Sequence, residues 1–114
     1  MSLLRPNAGV NFDELLTSSE RQIPDNLVPY YVAGRALIIK QKDPARAERY
    51  FRKYLSQQEP EGETPSLAAA RWRLGLALEK ENRKEEALRE IQAAVKMDPD
   101  MKEAQTDLKR VKNH

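Results

Sequence analysis

The sequence predicts an all-α protein, a short solenoid of repeated helix pairs with about six antiparallel helices. Three observations carry this reading. No segment of the 114 residues sustains the two-residue alternation of a strand, whereas six segments place apolar residues at helical spacing. Most of these segments are separated by only two to four residues, which sets consecutive helices antiparallel. Gly75, Ala87 and Pro99 also stand twelve residues apart twice in succession, and Gly34 and Ala47 repeat the spacing at thirteen.

Residues 1–10 hold no helical pattern and read as a disordered leader, without an apolar stretch of signal-peptide length. Phe12, Leu15, Leu16 and Ser19 then fall on one helical face, and Pro24 ends a helix over about 11–22. In the next segment Pro29 suits a first turn, where its missing N–H is not needed, and Tyr30, Ala33, Gly34 and Leu37 share a face. Asp43-Pro44 supplies an N-cap followed by proline at the first helical position. The helix behind it should bury Ala47, Tyr50 or Phe51, Tyr54 and Leu55.

EPEGETP at 59–65 is the clearest loop, and Thr64-Pro65 should start a fourth helix with the stripe Leu67, Ala70, Leu74 and Leu78. Asn82 followed by Glu85 resembles a capping box for the fifth, which carries Ala87, Ile91, Ala94 and Val95 and closes at Pro99. A last helix has only Ala104, Leu108 and Val111 on its apolar side.

The spacing has a physical reading. A glycine inside a helix costs about 1 kcal/mol relative to alanine, so its place is explained by a neighbouring helix that leaves no room for a side chain. Gly34 should therefore lie against the Ala47 helix and Gly75 against the Ala87 helix. Small residues would face each other, with Leu74, Leu78 and Ile91 around them. Leu37 matches Leu78, Tyr54 matches Ala94, and Phe51 follows Ala47 by four as Ile91 follows Ala87. The one extra residue of the first pair falls in its turn, where insertion is cheap.

On these residues the chain resembles the tetratricopeptide repeat family. LGLAL at 74–78 with Ala87, Ile91, Ala94 and Pro99 matches the signature over 68–101. Tyr30, Ala33, Gly34, Leu37, Ala47, Phe51 and Tyr54 match it over about 27–60. The resemblance implies a right-handed solenoid over 11–113, with capping helices at about 11–23 and 102–113. Ala104 and Leu108 match the start of a third unit, but Lys109 stands where the glycine would be, so the last helix reads as a solvating one. Arg71 holds the position of the usual early aromatic, and Trp72 follows it.

Composition narrows function. Twenty Lys and Arg against eighteen Asp and Glu give a net charge of +2, too small to point to nucleic acid or an anionic membrane. No apolar run approaches the roughly 18–20 residues of a membrane span. Cysteine is absent, which excludes disulfides, thiol catalysis and cysteine-ligated zinc. The only histidine is the terminal His114, and no nucleophile–base set or phosphate-binding glycine loop exists. The expectation is a non-enzymatic chain without cofactor or metal.

The resemblance implies a protein-interaction module that holds a peptide or protein segment in the concave face formed by the first helix of each pair. The family's inward positions fall on Tyr31, Arg35 and Ile38 in the first unit, and on Ala69, Trp72, Arg73, Leu76, Glu79 and Lys80 in the second. Trp and Arg are enriched at binding hot spots, so Trp72 is a candidate groove residue, with packing between adjacent units as its alternative. Arg35 and Arg73 would suit an acidic partner with an apolar anchor. Arg35 and Leu76 stand where a clamp for a peptide's terminal carboxylate would need asparagine, so that clamp is not expected. The alternative function is structural, a spacer or self-association element such as a homodimer.

Overall fold

Local capping chemistry sets where the helices begin and end. The computed structural model describes residues 14–17, 27–56 and 66–113. A helical segment at 14–17 is followed by α1 (Val28–Ile39), α2 (Pro44–Tyr54), α3 (Leu67–Lys80), α4 (Lys84–Met97) and α5 (Lys102–Lys112), with no strand among the described residues. Asp43 caps α2 as the sequence predicts, its side chain accepting from the Arg46 N–H at 3.1 Å with Pro44 in the first turn. The cap of α3 differs from expectation: it is Ser66, whose Oγ accepts from the Ala69 N–H at 3.0 Å. Thr64 and Pro65, with the rest of EPEGETP, lie outside the described residues.

Asn82 also differs from expectation. No side-chain cap bond starts α4; instead Asn82 closes α3, with φ of 64°. Its N–H bonds the Glu79 carbonyl and the Arg83 N–H bonds the Leu78 carbonyl at 2.9 Å. This is a Schellman closure, in which asparagine tolerates the left-handed conformation usually taken by glycine. Gln41 does the same for α1 at φ 55°, with bonds from its own N–H to Ile38 and from the Lys42 N–H to Leu37. The two turns are thus copies, apart from the added Asp43, itself at φ 42°. The extra residue sits where the sequence places it.

The pairs α1–α2 and α3–α4 pack as antiparallel hairpins, α2 packs on α3, and α5 packs on α4. Ala47, Phe51, Tyr54, Ala70, Leu74, Ala77, Leu78, Ala87, Ile91, Ala94 and Ala104 are all buried, as are Tyr50 and Val111. Leu16 joins the core as predicted, whereas Leu15 is 58% exposed and Phe12 lies outside the described residues.

The glycines do face the second helices, but not small residue to small residue. A Cβ on Gly34 would stand 2.9 Å from Cζ of Phe51, and one on Gly75 would stand 2.5 Å from Cγ1 of Ile91 and 3.1 Å from the Ala87 carbonyl oxygen. Each glycine makes room for the large residue one turn beyond the alanine. The alanine lets the backbones approach, and Phe51 or Ile91 then fills the glycine's notch.

Gly75→Ala should therefore destabilise although alanine is the better helix former, and Gly75→Leu should do so more, by about 1–3 kcal/mol or beyond. Thermal unfolding of both variants checks this. Adding Ile91→Ala to Gly75→Ala should give a loss smaller than the sum of the two, because they share one volume. An unchanged melting temperature for Gly75→Leu would refute close packing.

Candidate functional site: the face of the first helices

A helix turns by about 100° per residue, so Ala69, Trp72, Arg73, Leu76, Glu79 and Lys80 occupy one arc of α3 opposite its buried stripe. The flanks of that arc meet different neighbours. On one side Nε of Arg73 donates to the hydroxyl of Tyr31 on α1 at 2.9 Å. On the other, Nε1 of Trp72 donates to Oδ2 of Asp107 on α5 at 2.7 Å. Arg110, one turn beyond Asp107, reaches Glu79 with both terminal nitrogens, Nη2 to Oε1 at 2.8 Å, and its own basicity is raised first by that bond. Between the flanks the Arg73 guanidinium lies over the Trp72 ring, 4.6 Å from its centroid, a cation–π distance. Tyr31, Arg73, Trp72 and Asp107 form one continuous chain across α1, α3 and α5, with Glu79 and Arg110 bridging α3 and α5 beside it.

The predicted residues are not equivalent. Tyr31 is only 7% exposed; its ring packs against Phe51 and Tyr54 at 5.8 and 5.4 Å, so it serves the face by its hydroxyl. Trp72, Arg73, Leu76, Ala69 and Glu79 are half-buried, while Arg35 and Lys80 are exposed. Arg35 lies one turn beyond Tyr31 on α1. Ile38 and Lys80 meet instead around a pocket of about 240 Å³ shared with Leu37, Gln41, Lys42 and Pro44. Asp107 and Arg110 were not among the candidates. A signal existed: adding thirty-four residues to Arg73 and Leu76 gives Asp107 and Arg110, the same inward positions on α5.

A second cluster fixes how the two pairs sit together. Arg83, between α3 and α4, grips Glu86 with Nε at 3.0 Å and Nη2 at 2.7 Å, and reaches Glu48 of α2 with Nη1 at 2.7 Å. Arg52 holds the other oxygen of Glu48 at 2.7 Å. Glu81 lies within 3.6 Å of Arg83, but its Oε2 is buried without a hydrogen-bond partner. Burial and the neighbouring Glu48 raise the Glu81 carboxyl above the usual range. Burial also acts on Glu48, but the bond from Arg52 and the charges of Arg52 and Arg83 help outweigh it and hold Glu48 low. The Arg83 bond holds Glu86 low.

The signs of these effects oppose. Glu48 and Glu86 contribute stability that is present above the unfolded carboxylate pKa and is lost as pH falls through their depressed values. Glu81, with a raised folded value, loses stability as pH rises from the unfolded pKa through the folded one. Glu81→Gln should therefore melt higher than the parent at pH 7, and the gain should vanish below about pH 4, where Glu81 is protonated folded or unfolded. Melting curves across pH check this; an equal gain at every pH would refute it.

Comparison with protein-family models gives a match over residues 68–101, described as tetratricopeptide repeat. No curated protein matches the chain. The matched span is the α3–α4 pair with the turn that closes it, and it contains Gly75 in its notch and the inward arc of α3. Tetratricopeptide repeats generally mediate protein–protein interaction, and such modules are typically not enzymes. Among the described residues no helix is long and apolar enough to cross a membrane. Residues 68–101 are a tetratricopeptide repeat, set in an all-α chain of helix pairs.

Proposed function

We propose that the face of α1 and α3 holds a peptide or protein segment that brings a carboxylate and an apolar anchor. One observation carries this reading. Arg73 is oriented by the Tyr31 hydroxyl and the Trp72 ring, yet no carboxylate among the described residues pairs with it. A guanidinium has five N–H donors, and the Tyr31 bond uses one. An arginine already ordered loses less conformational entropy on binding an acid. Leu76 and Ala69, half-buried in the middle of the same arc, supply the apolar floor, and Arg35 adds a second cation.

The chain has one tryptophan, so its fluorescence reports on this face alone. Peptides selected from a random display library should be enriched in an acid beside an apolar residue, and their binding should perturb the Trp72 emission. Arg73→Gln should weaken them about tenfold, the scale of a charge-assisted hydrogen bond, and more at low salt. Trp72→Phe keeps a ring under Arg73 but drops the bond to Asp107, so it separates stacking from helix tethering. Selected peptides indifferent to Arg73→Gln would refute the reading.

A second reading, self-association, is favoured by Val32 and Ile39, which are 57% and 60% exposed on one side of α1. If that side pairs with a second copy, sedimentation should show a dimer that Val32→Glu dissociates. A monomer across the concentration series would leave the peptide reading alone.

A further inference from the structure

At the other end of the chain a groove runs between α4 and α5. It encloses about 550 Å³ and is lined by Arg89, Gln92, Ala93, Val95, Lys96 and Leu108. Its floor is apolar: Ala93, Val95 and Leu108 are half-buried, while Arg89, Gln92 and Lys96 stand exposed around it. No acid lines it. Arg89, Gln92, Ala93 and Lys96 follow one another at helical i, i+3, i+4, i+7 spacing, so they form a single stripe on α4.

The repeat shows what such a groove does one unit earlier. Moved back by forty residues on the second helix, Gln92 and Val95 fall on Arg52 and Leu55; moved back by thirty-four on the first helix, Leu108 falls on Leu74. There the surface is closed by a helix. Leu74 is buried, Leu55 half-buried, and Arg52 of α2 stands 3.9 Å from Glu86 in the first turn of α4. A helix bearing apolar residues and an acid is the occupant in the earlier unit.

The geometry points to the α4–α5 groove as a second docking surface, distinct from the face of the first helices, for an acidic amphipathic helix of a partner protein. Its apolar stripe would lie on Ala93, Val95 and Leu108, and its carboxylates would meet Arg89 and Lys96. Charge selects this occupant over a second copy. Two copies packed groove to groove would oppose Arg89 and Lys96 to their own counterparts, which is repulsive. The apolar floor selects a helix over a nucleic-acid backbone, which would leave that floor in contact with phosphates.

The test uses the full chain labelled with nitrogen-15 and two synthetic helical peptides about four turns long. Both carry the same leucine–alanine stripe, flanked in one by glutamate and in the other by lysine. The glutamate peptide should shift the amide resonances of Ala93, Val95 and Leu108 and leave Tyr31 and Arg73 in place. Lys96→Glu with Arg89→Glu, both on exposed side chains, should weaken it about tenfold and let the lysine peptide bind instead. Arg73→Gln, which disables the face of the first helices, should change nothing here. Equal binding of both peptides, indifference to the charge reversal, shifts confined to α1 and α3, no shift at all, or competition by a short DNA duplex would each overturn the inference. So would a dimer in sedimentation that Lys96→Glu abolishes.

Discussion

The approach of α3 to α4 at Gly75 is the constraint on which the rest depends. Ile91 stands in the space a side chain would occupy, and the Ala87 carbonyl lies just behind it. That contact fixes both the separation and the rotation of the pair. Rotation decides which arc of α3 is left over. With Leu74, Gly75 and Leu78 turned inward, Trp72, Leu76 and Glu79 have only the opposite side to occupy. The candidate face is thus the complement of the packing on the other side of the helix. The first pair reaches the same result with different residues, Phe51 in the notch of Gly34. A ring and a branched aliphatic chain both serve, because what is selected is a volume facing a glycine.

The joint between the pairs adds a cluster of ion pairs to the apolar core that both pairs share. Arg83 collects Glu48 from one unit and Glu86 from its own, and Arg52 completes the circuit. Ion pairs this exposed contribute little individually. Their effect is directional: a bidentate arginine admits few orientations of its partners, so the cluster sets an angle more than it adds stability. Glu81 runs against it, a carboxylate oxygen buried with no donor at the same crossing. At this joint protonation and geometry are therefore linked.

Periodicity made the helices legible, and the twelve-residue spacing made their pairing legible, because both follow from short-range sterics. Caps were legible only where side chain and backbone agreed. Asp43 was found because proline follows it; Asn82 was misassigned because the same side chain that caps a helix start also tolerates the left-handed turn that ends one. Ser66 was hidden by Thr64-Pro65, an equally good start two residues earlier. On the candidate site, the family resemblance placed Trp72 and Arg73 at inward positions. It could not show that Tyr31 would be buried by Phe51 and Tyr54, since that depends on how α1 lies on α2. Nor did it reveal the ties to Asp107 and Arg110, which are contacts between units and leave no mark on local spacing.

The displaced aromatic shows how one substitution separates packing within a pair from contact between units. In the first pair Tyr30 packs edge-on against Tyr50, with ring centroids 6.0 Å apart, while its neighbour Tyr31 turns toward α3. In the second pair the positions of Tyr30 and Tyr50 are held by Arg71 and Glu90, bonded at 2.9 Å. An ion pair has replaced an aromatic pair across the same two helices. Trp72, the counterpart of Tyr31, keeps its ring, now about 100° around the helix from Arg71. The pair is held by a contact that needs no ring at 71, so the ring at 72 is not required to fill the core. It is available to carry Arg73 on one face and to reach Asp107 with its N–H. Moving the aromatic by one residue takes it from the seam between two helices to the seam between two units. From there it orders Arg73, an arginine of the face that pairs with no carboxylate among the described residues.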